Sequence, residues 1–286
     1  MNVLSVRPPI AAGRFYDIDP ELLKKQIDAS FKKAESSAKK KKLKISKFNA
    51  AVVPHAGYDY SGWVAAKFYS LLNENSPRNY IILGPNHYMF GSKFATVKSG
   101  LWKTPLGSVA VHNRMADVLI EKFKLLEMDV IPHENEHSIE VQLPLLQSRF
   151  GDEFKFVPIA IANDVADETL LKSCQLLGDV ISGAIKRSKE KWIVLASSDF
   201  SHYVPQSFAE ETDTYLINAI VKLNEKTFFN RIIERNASMC GFGAIATAMV
   251  VAKKLGSKQG KLLKYATSGD VTGDMNSVVG YASIVL

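Results

Sequence analysis

The sequence predicts an α/β protein in which a central, largely parallel β-sheet is flanked by helices. Four short runs are almost continuously apolar, which is typical of strands buried on both faces of a sheet. These runs are residues 50–53, 80–83, 154–159 and 192–196. Helical patterns separate them and indicate crossover connections, at residues 61–73, 113–126, 138–149 and 167–187. No clear boundary divides the 286 residues, so we expect a single domain over residues 1–286.

The first predicted element is a helix that begins after Asp19. Asp19 is a favourable N-cap and Pro20 fits a first helical turn. Apolar residues then follow at helical spacing, at Leu23, Ile27, Phe31 and Ala34. Near the other end of the chain, the patterns predict two further helices and two strands, over residues 207–222, 242–255, 261–267 and 278–285.

The net charge is concentrated in one lysine-rich stretch. The formal net charge is +7, and residues 32–47 contain eight lysines and one acid, Glu35, which account for the whole excess. The rest of the chain is neutral, and no aromatic residues interleave these lysines. The composition therefore argues against nucleic-acid binding. We interpret the run as a solvated helix end followed by a variable segment, residues 36–47.

Hydropathy and cysteine content predict a cytoplasmic protein without a membrane segment. No apolar run reaches the length of about 18 residues that a membrane helix needs, and residues 1–10 lack the apolar core of a signal peptide. The two cysteines are too few for a disulfide framework, which favours a reducing compartment.

Polar residues with catalytic or ligating side chains follow three of the predicted strands. They are His55, His87, Asp199 and His202. The carboxyl ends of parallel strands lie at one edge of a sheet, where ligands bind in α/β proteins. We therefore expect these four side chains to share one site.

Cys240 precedes the apolar helix predicted over residues 242–255. The positive end of a helix dipole lowers the pKa of a nearby thiol and favours the thiolate, so Cys240 is a candidate ligand or nucleophile. The alternative is a small buried residue in a turn. We interpret Cys174, which lies within an apolar helical pattern, as part of the core.

His137 and Glu140 stand at the start of the helix predicted over residues 138–149. Being three residues apart, they can face the same way from its first turn and would then line the pocket. Ser138 is a candidate N-cap, and Pro144 is expected to kink the helix. The alternative is that this segment serves only to cap the helix.

These residue types favour a metal centre formed by His55, His87 and Cys240. Imidazole and thiolate bind iron, copper or zinc, and three protein ligands leave a position for water, substrate or dioxygen. Asp199 and His202 are candidates to orient a ligand histidine or to move protons. A metal-free alternative makes Cys240 a nucleophile, with a histidine as its base and Asp199 as the residue that orients that base.

Motifs along essentially the whole chain resemble the Memo family, which is named for a mediator of receptor-driven cell motility in animals and is widespread in archaea and bacteria. The matching segments are Arg7-Pro8-Pro9, Ala12-Gly13-Arg14-Phe15-Tyr16, Pro54-His55-Ala56-Gly57-Tyr58, Gly84-Pro85-Asn86-His87, Glu136-His137-Ser138-Ile139-Glu140, Ser197-Ser198-Asp199-Phe200-Ser201-His202, Cys240-Gly241 and the stretch 268–282. The chain is accordingly identified as a member of this family.

The resemblance implies a fold similar to that of class III extradiol dioxygenases, the non-haem iron enzymes that cleave catechol rings. By that resemblance, His55 and His87 stand at two iron-binding positions, Cys240 replaces a glutamate ligand, and His202 lies near the acid/base histidine. A thiolate is softer than a carboxylate, which favours copper or alters the reactivity of iron. The family thus implies iron or copper, with zinc as a further option, and redox chemistry.

The resemblance and the residues leave other functions open. Memo-like proteins are associated with radical-SAM-type and AMMECR-type proteins, and in animals with phosphorylated receptor tails, but no settled substrate comes with the family. One alternative is a non-catalytic module that binds a peptide or phosphate in the same cleft, although only eight arginines are present for bidentate phosphate binding. The other alternative is the cysteine hydrolase.

Overall fold

The computed structural model describes residues 6–37 and 48–286. Most of the lysine-rich segment predicted to be variable therefore lies outside the described residues. Within them, twelve strands form one sheet, and these are β1 Val6–Arg7, β2 Ala50–Val53, β3 Asn79–Pro85, β4 Phe94–Thr96, β5 Leu101–Thr104, β6 Gly107–Val111, β7 Leu126–Met128, β8 Lys155–Ile161, β9 Trp192–Ser197, β10 His202–Val204, β11 Lys261–Thr267 and β12 Val278–Val285.

Helices connect most of these strands. In the described residues they are α1 Pro20–Ser36, α2 Trp63–Tyr69, α3 Asn113–Lys122, α4 Ile131–Glu134, α5 Gln142–Phe150, α6 Glu168–Arg187, α7 Gln206–Val221, α8 Glu225–Arg235, α9 Phe242–Lys254 and α10 Gly269–Thr272, with a π-helical turn at Tyr58–Gly62. None of the helices in this part of the chain combines the length and the apolar character needed to cross a membrane.

The strands form a mixed, mostly parallel sheet. Its main path runs in the order β1-β5-β6-β8-β3-β9-β2-β12-β10, and β11 pairs with β12, while β4 pairs with β8 and β7. The central strands β8, β3, β9 and β2 are parallel to one another. Antiparallel pairs lie toward the sides of the sheet, for example β5 with β6 and β11 with β12. The predicted fold class is confirmed.

The central strands are buried on both faces, which explains their continuous apolar runs. Along β3, Ile81 and Leu83 pack on the side of α3, α6 and α9, whereas Tyr80 and Ile82 pack on the side of α1, α2 and α5. Successive side chains of a strand point to opposite faces, so both faces need apolar residues. The result is a three-layer arrangement with two apolar cores, one on each side of the sheet.

Several predicted boundaries and caps are confirmed. The six predicted strands are observed as β2, β3, β8, β9, β11 and β12. The Asp19 carboxylate caps α1 by accepting from the N–H groups of Glu21 and Leu22, and Cys174 is fully buried in the core.

The structure corrects the prediction of a helix from residue 138. Helix α5 begins at Gln142, and Ser138 does not cap it, because the Ser138 hydroxyl donates to the carbonyl of Pro85. Pro144 was expected to kink the helix, but it lies in the first turn of α5, where a missing N–H costs no helical hydrogen bond, so the reason for a kink is absent. The early residues of this segment instead form part of the site.

Candidate metal centre

Three strand ends meet at one edge of the sheet, as the sequence predicts. β2 leads to His55, β3 leads to His87, and β9, which lies between these strands, leads to Asp199. The three strands are parallel, so their carboxyl ends lie side by side. The imidazole rings of His55 and His87 are 5.2 Å apart between centroids and nearly perpendicular, at 88°.

His137 joins these two histidines and completes a cluster of three imidazoles. Its ring centroid lies 5.4 Å from that of His55 and 4.9 Å from that of His87. One nitrogen of each ring lies within 4.8 Å of the other two. Because metal–nitrogen bonds are about 2.0–2.1 Å long, two nitrogens on one ion lie at most about 4 Å apart. The cluster is therefore close to the spacing of a three-histidine site, and His137, which the sequence placed in the pocket wall, belongs to it.

Cys240 reaches the same place from the start of α9. Its Sγ lies 3.2 Å from His55 Nε2, and it also interacts with the ring of His87. Gly241 permits this approach, because a Cβ there would lie 2.6 Å from the carbonyl oxygen of Ser197. The side chains of His55, His87 and Cys240 are thus neighbours in the fold, with His137 as a fourth potential ligand.

Ser197 holds the His55 ring in one orientation. Its hydroxyl donates to the carbonyl oxygen of Ser138 at 2.6 Å, so its oxygen can only accept from His55 Nδ1, which lies 3.0 Å away. In the neutral ring this leaves His55 Nε2 without a proton and facing the sulfur of Cys240. Metal-ligating histidines are commonly fixed in this way through their second nitrogen.

Glu136 orients the His87 ring, as Ser197 orients that of His55. Its carboxylate accepts from the backbone N–H of His87 at 2.8 Å and from Nδ1 of the same residue at 3.0 Å. The carboxylate also lies 3.4 Å from His137 Nδ1. Burial alone would raise the pKa of Glu136, but the hydrogen bonds and charge of His87 bring that pKa down to about 2. Glu136 is therefore a buried anion at the back of the cluster.

Electrostatics divides the three imidazoles into two neutral rings and one that holds a proton. Burial and the neighbouring His87 keep the pKa of His55 well below its usual value, and burial and His55 lower the pKa of His137 to about 3. Burial also opposes protonation of His87, but hydrogen bonds to Cys240 and Glu136 raise its pKa to about 10. The metal-free cluster thus favours one positive charge between Glu136 and the thiol.

The pKa of Cys240 moves in the opposite direction from the sequence expectation. Burial raises it, and the hydrogen bond with His87 offsets this only in part. Cys240 lies one residue before Gly241, the N-cap of α9, and the cost of burying a thiolate exceeds the help from the helix dipole. In the metal-free protein the expectation of a lowered thiol pKa is therefore wrong.

Asp199 acts on the backbone around the cluster. Its carboxylate accepts from the backbone N–H of His55 at 2.8 Å, and its own N–H donates to the Cys240 sulfur at 3.3 Å. Burial raises the pKa of Asp199, while the charge of His202 and the N–H of His55 partly counter that effect. Asp199 thus fixes the His55 loop, whereas the ring of His55 is oriented by Ser197.

His202 lies at the margin of the cluster and is half-exposed. Its Nδ1 donates to the carbonyl of Ser238 at 2.7 Å, and its backbone N–H donates to the hydroxyl of the same serine at 2.8 Å. The first of these bonds orients the ring, and in the part of the chain that the structure describes Nε2 has no hydrogen-bond partner. His202 influences the pKa values of both His55 and Asp199, so it is close to the centre.

The structure gives Glu140 a different position from the one expected. The fully buried carboxylate forms an ion pair with Arg7 and accepts from Tyr16 Oη at 2.6 Å and from the N–H of Ala11 at 2.9 Å. Among the described residues, the hydrogen-bond partners of this carboxylate all belong to the N-terminal segment. The reason is that His137 precedes the helix rather than starting it, so Glu140 does not share its direction.

The sequence alone indicated no role for Ser197 or Glu136, although both lie in the quoted motifs. Their roles depend on which hydroxyl or carboxylate is aimed at an imidazole, and no spacing rule carries that information. The role of Glu136 could have been predicted, because an acidic residue beside a candidate ligand histidine is a frequent orienting partner.

The chain is similar to known proteins along nearly its whole length. The profile of a protein family described as "Memo-like protein" matches residues 7–285. Proteins described as "MEMO1 family protein" are 42% identical in Methanopyrus kandleri, over 98% of both chains, and 42% identical in Sulfolobus acidocaldarius, again over 98% of both chains. A third such protein, from Methanosarcina barkeri, is 40% identical over 98% of this chain and 100% of its own.

One solved structure is similar in fold alone. It is an uncharacterized protein from Escherichia coli K12, which is 12% identical in sequence and superposes with a TM-score of 0.52. The match covers 84% of this chain and 100% of the other. It supports the α/β architecture and carries no information about activity.

Proposed function

Because the chain belongs to the Memo-like protein family, we propose that it is a metal-binding protein that holds iron or copper at the cluster of His55, His87, His137 and Cys240. The observation that supports this proposal is the convergence of these side chains, with one nitrogen of each of the three rings within 4.8 Å of the others and the Cys240 sulfur 3.2 Å from His55 Nε2.

The chemistry of the donor set fits a transition-metal ion. Two of the imidazoles are neutral at pH 7, as metal ligation requires. The buried Glu136 supplies a negative charge, and a thiol beside imidazoles suits iron, copper or zinc better than calcium or magnesium. Among these metals we favour iron and copper, since the fold resemblance and the thiol both point to redox chemistry.

The surrounding residues would support turnover at such a centre. A bound iron or copper ion would supply redox chemistry that protein side chains lack. The half-exposed His202 has a free Nε2 and can accept or deliver a proton at the edge of the cluster. Asp199 keeps the His55 loop in place through the hydrogen bond to its backbone.

Elemental analysis of anaerobically purified protein tests the metal proposal. We expect about one iron or copper ion per chain, and a loss of affinity of more than about 100-fold in His55→Ala and His87→Ala, since changes to supporting residues alone cost about 10- to 100-fold. His202→Ala is the matched control and should keep its metal. Equal metal content in all variants would contradict the proposal.

Redox activity needs a separate measurement. Oxygen consumption with catechols and other small reductants should be detectable for the metal-loaded protein and should fall in His202→Ala although its metal content is unchanged. Oxygen consumption that is the same with and without metal would rule out the redox role and leave metal binding as the narrower conclusion.

A cysteine hydrolase is the second candidate, and one observation favours it. Cys240 Sγ lies 3.2 Å from His55 Nε2, and the Ser197 hydroxyl lies 3.0 Å from Nδ1 of the same ring. This series of contacts resembles a nucleophile, its base and an orienting group. Ser197 holds the position that the sequence assigned to Asp199. Covalent labelling of Cys240 by an acylating probe in chelator, with loss of labelling in His55→Ala, would favour this candidate over the metal centre.

A further inference from the structure

The N-terminal segment places an aromatic ring against the candidate metal centre. The Phe15 ring stacks on the His137 ring, with 3.9 Å between centroids and 16° between planes. His137 in turn stacks on His87, at 4.9 Å and 12°. The three rings form one continuous stack that ends in Phe15.

His137 is held differently from the other histidines of the cluster. Nδ1 of His55 is hydrogen-bonded to Ser197, and Nδ1 of His87 is hydrogen-bonded to Glu136, each at 3.0 Å. Within the described residues the ring of His137 forms no such bond, and its contact with Glu136 Oε1 is 3.4 Å long. The orientation of this imidazole therefore depends on the rings that pack against it.

Buried polar contacts fix the segment that carries Phe15. The Glu140 carboxylate pairs with Arg7 and accepts from the N–H groups of Ile10 and Ala11 and from Tyr16 Oη, at 3.1, 2.9 and 2.6 Å. A fully buried carboxylate with this many partners does not rearrange easily. The backbone on both sides of Phe15 is therefore held in place.

The backbone of Phe15 is also hydrogen-bonded to the π-helical turn that follows the His55 loop. Its carbonyl oxygen accepts from the N–H of Tyr58 at 2.8 Å, just beyond the His55 loop. Phe15 also lines an open cleft of about 230 Å³ together with Arg14 and Tyr60.

We propose that Phe15 is a positioning residue of the metal centre, which holds the His137 ring in the orientation that makes it a ligand beside His55 and His87. This inference rests on the proposed function. Ligand histidines are usually oriented by a hydrogen bond to the second nitrogen. Here the aromatic stack orients the His137 ring instead of such a bond. Without the ring, His137 could rotate away, and His55, His87 and Cys240 would be the protein ligands left to hold an ion.

Titration with Co²⁺ tests this role, because the intensity of its visible absorption bands depends on the number and geometry of its ligands. For Phe15→Leu we expect affinity about tenfold weaker and bands shifted to those of His137→Ala. Phe15→Tyr keeps the ring and should stay within about threefold of the wild type. Tyr16→Phe removes one of the hydrogen bonds that hold the segment, so its affinity for Co²⁺ should lie between those of Phe15→Leu and Phe15→Tyr.

Two comparisons separate positioning from general damage. Phe208→Leu removes an exposed ring on α7 that is not part of the stack, and this variant should bind Co²⁺ like the wild type. The double variant Phe15→Leu/His137→Ala should bind no more weakly than His137→Ala, because Phe15 acts through that ring.

The outcomes distinguish this inference from the function on which it rests. If the wild type binds Co²⁺ but Phe15→Leu binds with the same affinity and spectrum, the positioning role is wrong while the metal centre stands. If the two substitutions weaken binding additively, Phe15 acts independently of His137 and the inference is overturned as well. If the wild type binds no Co²⁺, both the metal centre and the positioning role of Phe15 are contradicted.

Discussion

At the scale of single residues, the Glu136 carboxylate balances the charge of the candidate centre. It is 1% exposed and contacts both His87 and His137. An unpaired carboxylate is costly to bury, so its position is explained by a positive partner. In the metal-free protein this partner is the proton on His87, and a bound ion would replace that proton.

Glu136→Gln should therefore weaken metal binding. The amide keeps the size of the side chain but removes the negative charge and one acceptor, and we expect affinity to fall about 10- to 100-fold. A competition titration with a chromophoric chelator measures this change. Glu134→Gln, an exposed neighbour, is the matched control and should behave like the wild type; equal affinities for the two variants would disprove the role of Glu136.

Asp213 is a second buried carboxyl whose charge state matters, and it lies outside the cluster. It accepts from the hydroxyl of Ser201 at 2.6 Å and from Tyr265 Oη at 2.7 Å. Burial raises the pKa of Asp213 to about 6, and these hydrogen bonds counter the effect only in part. Ionisation of Asp213 therefore costs more free energy in the folded protein than in the unfolded chain, although the carboxylate still predominates at pH 7.

This raised pKa predicts that the folded protein loses stability as the pH rises. The unfolded pKa is about 3.9, so the contribution of Asp213 is greatest below pH 4 and is lost as the pH passes 6. Between pH 5 and 8 the free energy of unfolding of the wild type should fall by about 1 kcal/mol relative to Asp213→Asn. Denaturant unfolding at both pH values measures this difference, and parallel pH profiles of the two proteins would show that Asp213 does not titrate in this range.

At the scale of elements, the close packing of α6 on α9 sets the position of the helix that follows Cys240. Gly178 of α6 faces α9 so closely that a Cβ there would lie 2.7 Å from Val250 Cβ and 3.0 Å from the carbonyl oxygen of Thr247. Backbone and branched side chains cannot move out of the way cheaply. The approach of the two helices thus requires glycine.

Gly178→Ala should destabilise the protein by about 1–3 kcal/mol through overpacking. Gly183 offers a control in the same helix, because a Cβ there meets only the mobile end of Arg187, at 3.4 Å. Gly183→Ala should be neutral or stabilise by up to about 1 kcal/mol, since alanine favours helices. Thermal unfolding measures both changes, and similar melting temperatures for the two variants would show that α6 and α9 can separate at little cost.

Elements with strong local patterns were predictable, and those without them were not. The buried strands β3 and β9 follow from their apolar runs because both faces are covered. Helix α8 was missed, although Asn224 caps it and Phe228 and Ile232 are buried at helical spacing. The short strand β4 has three residues and gains its conformation from its pairing with β8 and β7, which no local pattern records.

The candidate site likewise has a part that was predictable from the sequence and a part that was not. The convergence of His55 and His87 follows from the topology of parallel strands, which the sequence reveals. The start of α5 decides that His137 lies in the cluster and that Glu140 instead pairs with Arg7. A shift of a helix start by four residues changes which side chains share a direction, so this part of the site needed the structure.

At the scale of the whole molecule, the candidate centre joins parts of the chain that are distant in sequence. His55 follows β2, His87 follows β3, and Cys240 precedes α9. An ion held by all three would cross-link segments separated by more than 150 residues, counting from His87 to Cys240. Since the ligands come together only in the folded chain, binding energy adds directly to the stability of the fold.

Metal loading should therefore raise the melting temperature of the whole protein. At free metal about 100 times the dissociation constant, the folded state gains about 2.7 kcal/mol, which corresponds to a rise of roughly 4–5 °C for a chain of 286 residues. Calorimetry of protein in chelator and in excess metal measures the shift. His55→Ala should lose most of it, because one shared ligand is gone. If the melting temperature of His55→Ala rose by the same amount, the metal would stabilise the protein by binding at another site, for example at surface carboxylates. The cluster of His55, His87 and Cys240 would then not be the binding site.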